Sequence, residues 1–416
     1  MLKTLLLAFL FVPCFVYSQL NQQLIKENAP SVFINCWFCD LNYIKEKIPI
    51  VNYVNDRNDA DIYILFTSEK TGSGGYERTA IFFGQKLFEG KNDTLKFSSL
   101  PNESENITRD KTVEILKLGL VNYLSKSQIA DKILITFKAP DQVPVKEEDP
   151  WDFWVFKFSL NGYLNSQERY DFLNLYGNIS ASRVTEFSKF YASFSGSYSE
   201  NNYEVDFGNR LENIKSLSRS YAFYAHNFFA IDEHWSWGLS TNLNKSTYYN
   251  IDFSGKISPG IEYNFFPYSV SNERQLKLAY IISPVYNNYS TETIFFKMEE
   301  MLYIQKLSAT LSLIEQWGST SISISGSNYF HDMSKYNINL FANISWQLFR
   351  GFSLNLYGQY SKIRDQISLP RGNATLEEVL LQRRQLETGY QFWGSFGISY
   401  SFGSIYNNIV NPRFDN

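Results

Sequence analysis

Three cysteines, three histidines and twelve prolines are all that 416 residues hold of these types. So few cysteines exclude a scaffold stapled together by disulfides. The histidines, at 226, 234 and 331, form no metal-ligand spacing with Cys or Asp, so neither a metal nor another cofactor is expected. Charged residues make up only 19%, with a net charge of -4, and the lysines and arginines are scattered among acids; a nucleic-acid partner is excluded. Past the N-terminus no apolar run reaches the roughly 18 residues of a membrane helix, which excludes a helical membrane protein. What the chain does have is aromatic: 29 Tyr and 35 Phe, at a mean hydropathy of -0.27. That many rings beside a polar average suit a β-barrel with aromatic girdles and an outward apolar band.

Residues 1–18 read as a secretory signal: Lys3 as the positive start, Leu5 to Val12 as the apolar core, and Val16-Tyr17-Ser18 before the cleavage point. Cys14 follows Val12-Pro13, which lack the small residues of a lipoprotein site. Residues 20–138 read as a small α/β domain. Strands are expected over Ser31–Cys36, Asp61–Thr67, Tyr76–Leu87, Asn92–Ser99 and Lys132–Lys138. Helices are expected over Leu41–Ile48 and Thr108–Ser125, the second capped by Thr108 and burying Val113, Leu116, Leu120, Val121 and Leu124. The helices should cover one side of the sheet. Residues 139–150, with three prolines and a short acidic run, form a linker.

From residue 151 to 402 the texture is repeated alternation. The clearest stretch is Ile338–Tyr360, a hairpin turning at Arg350-Gly351. One of its faces carries Leu340, Ile344, Trp346, Leu354 and Leu356, expected to meet lipid. The other carries Asn339, Asn343, Asn355 and Gln359, expected to line a lumen. About twelve such strands are counted, an even number as in a closed single-chain barrel. Short turns are expected at Val184–Ser188, Asp232–His234, Glu315–Gly318 and Arg350–Gly351. Long polar links are expected at Glu200–Asn213, Lys245–Lys256, Asn287–Glu300, Asn328–Asn337 and Lys362–Gln385. That alternation points to an outer-membrane barrel with its short turns in the periplasm. Lys157, Glu262, Lys277 and Lys306 should face a lumen of mixed charge.

The last strand, Phe392 to Phe402, sets Phe396, Ile398, Tyr400 and Phe402 on one face and so resembles the C-terminal strand of outer-membrane proteins; a tail, residues 403–416, follows it. The whole chain resembles an uncharacterised family of Gram-negative outer-membrane barrels preceded by a periplasmic α/β domain. The resemblance implies an all-β transmembrane barrel after a small α/β domain. It also implies outer-membrane lipid and the barrel assembly machinery as partners. The order of the parts leads us to expect a channel or envelope-organising role without catalysis, with a periplasmic protein met by residues 20–138.

Six stretches invite chemistry. Cys36-Trp37-Phe38-Cys39 has redox-motif spacing, but Trp37 lies inside the pair and a structural disulfide is the simpler expectation. Thr71–Gly75 is glycine-rich without a following Lys-Ser/Thr, hence a hairpin turn. His226 with Ser218 or Ser220, and His331-Asp332, resemble the Ser-His pair of the outer-membrane phospholipase; a lipid hydrolase is therefore the competing class. His234 in its turn reads as solvated. Finally, Lys362–Gln385 holds Leu369-Pro370-Arg371-Gly372, which resembles a loop of translocation barrels, and a possible helix capped by Thr375. It is expected to serve as a lid or plug.

Overall fold

The computed structural model describes residues 26, 28–72, 74–101, 103–136, 149–206, 208, 210–373, 385–408, 410 and 413. The expected signal segment with Cys14, the linker up to residue 148, and the possible helix at Thr375 lie outside them.

The first unit holds β1 (Ser31–Asn35), α1 (Leu41–Lys47), β2 (Asn52–Tyr53), β3 (Ile62–Lys70), β4 (Tyr76–Gly84), β5 (Asn92–Ser99) and α2 (Glu105–Leu124). The strands form one sheet in the order β2-β1-β3-β4-β5. β1 runs parallel to β2 and β3, while β4 runs antiparallel to β3 and β5. Period two divides β3 between two cores. Ile62, Ile64 and Phe66 pack with Val113, Leu116 and Leu120 of α2 and Ile44 of α1, so both helices lie on one face. Tyr63 and Leu65 point the other way and join Phe33, Ile81 and Phe83. The fully buried run of β3 follows from being covered on both sides. Gly119 lets α2 approach the sheet, because a Cβ there would meet the Phe82 ring at 2.1 Å.

Two expectations in this unit fail. α2 begins three residues early, capped by the Ser104 hydroxyl, which accepts from the Ile107 amide at 3.4 Å; Thr108 is inside the helix. Its first turn is polar apart from the exposed Ile107, so apolar periodicity does not register it. The strand expected over Lys132–Lys138 is absent over the described residues 133–136. A short 3-10 turn over Ala130–Lys132 precedes them, and Leu134 and Ile135 are exposed.

The second unit is a meander of twelve antiparallel strands. They are β6 (Trp154–Gln167), β7 (Tyr170–Val184), β8 (Ser188–Asp206), β9 (Leu211–Ala230), β10 (Trp235–Ser246) and β11 (Ile251–Asn264). β12 (Arg274–Tyr289), β13 (Glu299–Glu315), β14 (Gly318–Tyr329), β15 (Asp332–Phe349), β16 (Phe352–Ile363) and β17 (Tyr390–Tyr400) complete it. Every strand pairs with its sequence neighbours. Among the described residues no ladder joins β6 to β17, so the two end strands keep one edge each. The short turns fall where expected. Of the expected long links, three are mostly strand: β8 and β9 approach to residues 206 and 211, β10 and β11 to 246 and 251, and β14 and β15 to 329 and 332. Polar residues on both faces there mark where the apolar band ends, while the backbone ladder continues. Only 290–298 and 364–389 remain long. β17 ends at Tyr400, leaving Phe402 beyond it.

Candidate functional site

Directly opposed residues in an antiparallel ladder share a face. Following the registers therefore tracks one face across the whole meander. Phe158 opposes Ile179, Ile179 opposes Phe194, Phe194 opposes Phe223, and Phe223 opposes Leu243. On the same face of β10, Trp237 opposes Ile261, Ile261 opposes Tyr280, and Tyr280 opposes Leu307. Ile324, Leu340, Tyr360 and Phe392 then carry the row to β17. All of these side chains are exposed. A continuous apolar band of this length is far larger than the scattered exposure of a water-soluble surface.

The opposite face is strung with hydroxyls and amides. Ser197 bonds Ser220 at 2.7 Å, Ser258 bonds Ser283 at 2.8 Å, Thr310 bonds Ser323 at 3.0 Å, and Ser353 bonds Ser399 at 2.6 Å. Ser361 donates to Asn339, and Ser345 to Asn355. Lys277 and Glu262 stand 3.9 Å apart on this face. In the hairpin, Ile344 opposes Leu356 and Trp346 opposes Leu354, while Asn343 opposes Tyr357 and Asn339 opposes Ser361. The two residue sets named from the sequence therefore lie on the two faces as grouped. Exposure alone does not separate them, since Asn343 and Asn355 are as open as Leu340.

Both ends of the meander are covered. At the end bearing the long links, segment 364–371 folds inward. Ile367 is buried against Val285, Leu302 and Tyr329 of the polar face. The Leu369 carbonyl accepts from the Ile294 amide at 2.9 Å, and Arg371 pairs with Glu292 at 2.7 Å. Asn250 donates to the Ser368 and Thr291 carbonyls, at 3.0 and 2.9 Å. Three links from separate parts of the meander are thus knotted into one cap, and Arg371 is a structural member of it.

At the other end the α/β unit docks through its helix-free face, where Ile314 of β13 joins the Tyr63 cluster. Tyr63 lies between the Phe33 and Phe83 rings at 5.8 and 5.6 Å. The short segment 56–59 grips two turns of the rim and the end of β15. Asp56 accepts from the Gly351 amide at 2.6 Å and from the Gln347 side chain at 3.2 Å. Arg57 donates to the Gln347 carbonyl at 3.0 Å and also to the Gln316 carbonyl. Arg350 pairs with Asp59 at 2.8 Å. Ser182 donates to the Gly72 carbonyl at 3.2 Å. Gly351 sits at φ +73°, and a Cβ there would meet the Ser401 carbonyl at 2.1 Å, so only glycine serves at this corner. The tail completes the grip: the Asn55 amide donates to the Ile405 carbonyl at 2.9 Å, and the Asn407 amide to the Tyr53 carbonyl at 2.8 Å. The tail thereby covers the free edge of β2.

The remaining sites named from the sequence fall as follows. Cys36 and Cys39 are joined by a disulfide, with their Cα atoms 5.5 Å apart. Thr71–Gly75 turns β3 into β4. His226 lies on the polar face among the Tyr191, Tyr224 and Phe228 rings, and neither ring nitrogen has a hydrogen-bond partner. Ser220 is committed to Ser197, and Ser218 opposes Ser199; no Ser-His pair forms here. Asp332 accepts from the Ser334 amide and hydroxyl, and the His331 ring stands beside Tyr329. His234 is not simply solvated: its Nδ1 is 2.7 Å from the Asn264 carbonyl and its ring stacks on Tyr263. Among the described residues no group of His, Cys, Asp and Glu could hold a metal ion.

No protein-family model matches the chain, and no curated protein does. Among solved structures, the crystal structure of the beta domain of the Bordetella autotransporter BrkA is similar over 60% of this chain and 98% of that one. The identity is 10% and the TM-score 0.26, a likeness too slight to carry function from one to the other.

Proposed function

We propose that the twelve-stranded meander is an outer-membrane β-barrel, closed around its hydroxyl-lined face, and that it serves as a gated conduit rather than an enzyme. The observation that carries this reading is the exposed apolar band, unbroken from β6 to β17 and backed by a polar face. Lipid is the environment in which such a band is at no disadvantage, and closing the barrel satisfies the two free edges as well. Residues 1–18 direct export, and the α/β unit stands at the periplasmic mouth, on the side of the short turns. The interior mixes hydroxyls, amides and both signs of charge, which suits hydrated passage of low ion selectivity.

With loops over one mouth and the α/β unit over the other, the resting state is shut. A periplasmic partner that draws segment 56–59 off the rim would open the near side. In planar bilayers the wild-type protein should give rare, small openings. The double variant Asp56→Ala, Arg57→Ala should raise the open fraction several-fold. A silent double variant that still shows a heat-modifiable gel shift contradicts gating by this segment. A protein that fractionates as soluble, without that shift, contradicts the barrel itself.

A further inference from the structure

The polar face of the meander is not uniformly polar, for rings recur on it. On β15, β16 and β17, Phe341, Tyr357 and Trp393 form a chain, with successive ring centres 5.5 and 4.8 Å apart. On β8 and β9, Tyr224, Tyr191, His226 and Phe228 form a second, at 6.3, 5.6 and 4.4 Å. Tyr163 of β6 and Tyr176 of β7 stand between the two chains once β17 closes on β6. Rings that merely filled space would bury one another, yet Tyr163 is 59%, Tyr176 41% and Trp393 43% exposed.

The rings are flanked in the ladder by side chains that can hydrogen-bond. Tyr176 lies between Asn161 and Ser197, Tyr224 between Ser193 and Asn242, and Tyr357 between Asn343 and Ser395. Tyr163 opposes Asn174, and Trp393 opposes Gln359. Asn339 and Asn355 are taken by Ser361 and Ser345. By contrast, the side chains of Asn161, Asn174, Asn242 and Asn343 bond no other protein group among the described residues. No carboxylate opposes any of these rings; the one charge that does is Lys189, across from Phe228.

We propose that this wall is a track for neutral oligosaccharides built of pyranose rings. The inference rests on the conduit reading and names its solute. A pyranose presents C–H bonds on its faces, and these meet the negative face of an aromatic ring. Its hydroxyls stand out around the edge, where each free amide offers both donors and an acceptor and each serine hydroxyl either. A ring beside a free amide, repeated from strand to strand, fits one sugar after another. The scarcity of charge along the track suits a cargo that carries none.

The test is calorimetric titration of the full-length protein in detergent with maltohexaose. The rim variant Asp56→Ala, Arg57→Ala is titrated beside the wild type, so that a shut mouth does not hide the track. Maltohexaose should bind saturably to one or both, and a polyethylene glycol of similar mass, with neither a ring face nor vicinal hydroxyls, to neither. Tyr176→Ala in the binding background should weaken the sugar about fivefold or more, and Tyr176→Phe, which keeps the ring, by much less. The heat-modifiable gel shift shows whether each variant folds. Planar bilayers separate this inference from the reading beneath it. Saturable binding without any conductance keeps the saccharide site and removes the conduit. Conductance with no saturable binding keeps the conduit and overturns the track. Equal binding of sugar and glycol, or unchanged affinity in Tyr176→Ala, also overturns it.

Discussion

The α/β unit and the meander use the same period-two alternation for opposite ends. In β3, Ile62, Tyr63 and Ile64 are each 0% exposed, because helices cover one face and the barrel rim the other. In the meander, Phe158 is 71% and Phe396 79% exposed. A core hides its apolar atoms within the chain, whereas the meander leaves them on its surface, where on the proposed reading they meet lipid. The difference shows that alternation reports sidedness alone. What covers each side must be read from what else the chain supplies, and here that is two helices for one unit and nothing for the other.

The comparison can be pressed at matched positions. Leu116→Ala, in the helix-covered core, should destabilise the α/β unit by about 2–5 kcal/mol. Leu239→Ala, on the exposed face of β10, should cost under about 1 kcal/mol in detergent, since lipid tails are as apolar as leucine and fill the gap. Denaturant titration of each variant reads the contrast; equal losses would mean that Leu239 also packs against protein. Next in size, Ile344→Lys should cost about 2–4 kcal/mol if it lies near the midplane, and Asn343→Lys little. Refolding equilibria in lipid vesicles measure both, and equal costs would reverse or abolish the assigned faces.

The joint between the units should respond less. Asp56→Ala leaves the Gly351 amide without its carboxylate, a loss of about 1–3 kcal/mol if that amide stays buried. Proteolysis of the α/β unit in the intact protein should quicken accordingly. Smallest is the effect of acid. The hydrogen bond from Lys111 holds the Glu103 carboxylate below its usual range. A carboxylate depressed in the folded state contributes stability above its unfolded pKa of about 4.3, and the contribution is lost as pH falls through the lower folded value. Glu103→Gln should therefore flatten the acid limb of the melting profile below about pH 4 and leave pH 7 nearly unchanged. An identical acid limb in both proteins would show that the bond adds nothing.

Much of this was legible in the sequence, where local pattern decides. The hairpin at 338–360 pairs in the register its alternation implies, and β5 spans Asn92–Ser99 as expected. Patterns fail where the determinant is distant. β2 has two residues, too few for any period, and the tail that completes its edge comes some 350 positions later. Asp56, Arg57 and Asp59 carry no local pattern, because the residues they bond lie 259 to 295 positions further along the chain. Polarity on both faces suggests a loop at several strand ends of the meander where the ladder in fact continues.

The central claim is that the exposed face of the meander meets lipid. Trp237 is the probe for it, half exposed and opposite Ile261 in the band. A variant keeping Trp237 alone among the eight tryptophans can be reconstituted in vesicles whose acyl chains carry bromine. If the account is right, brominated chains quench most of its emission and aqueous iodide quenches little. Strong quenching by iodide with none by the brominated chains would contradict it.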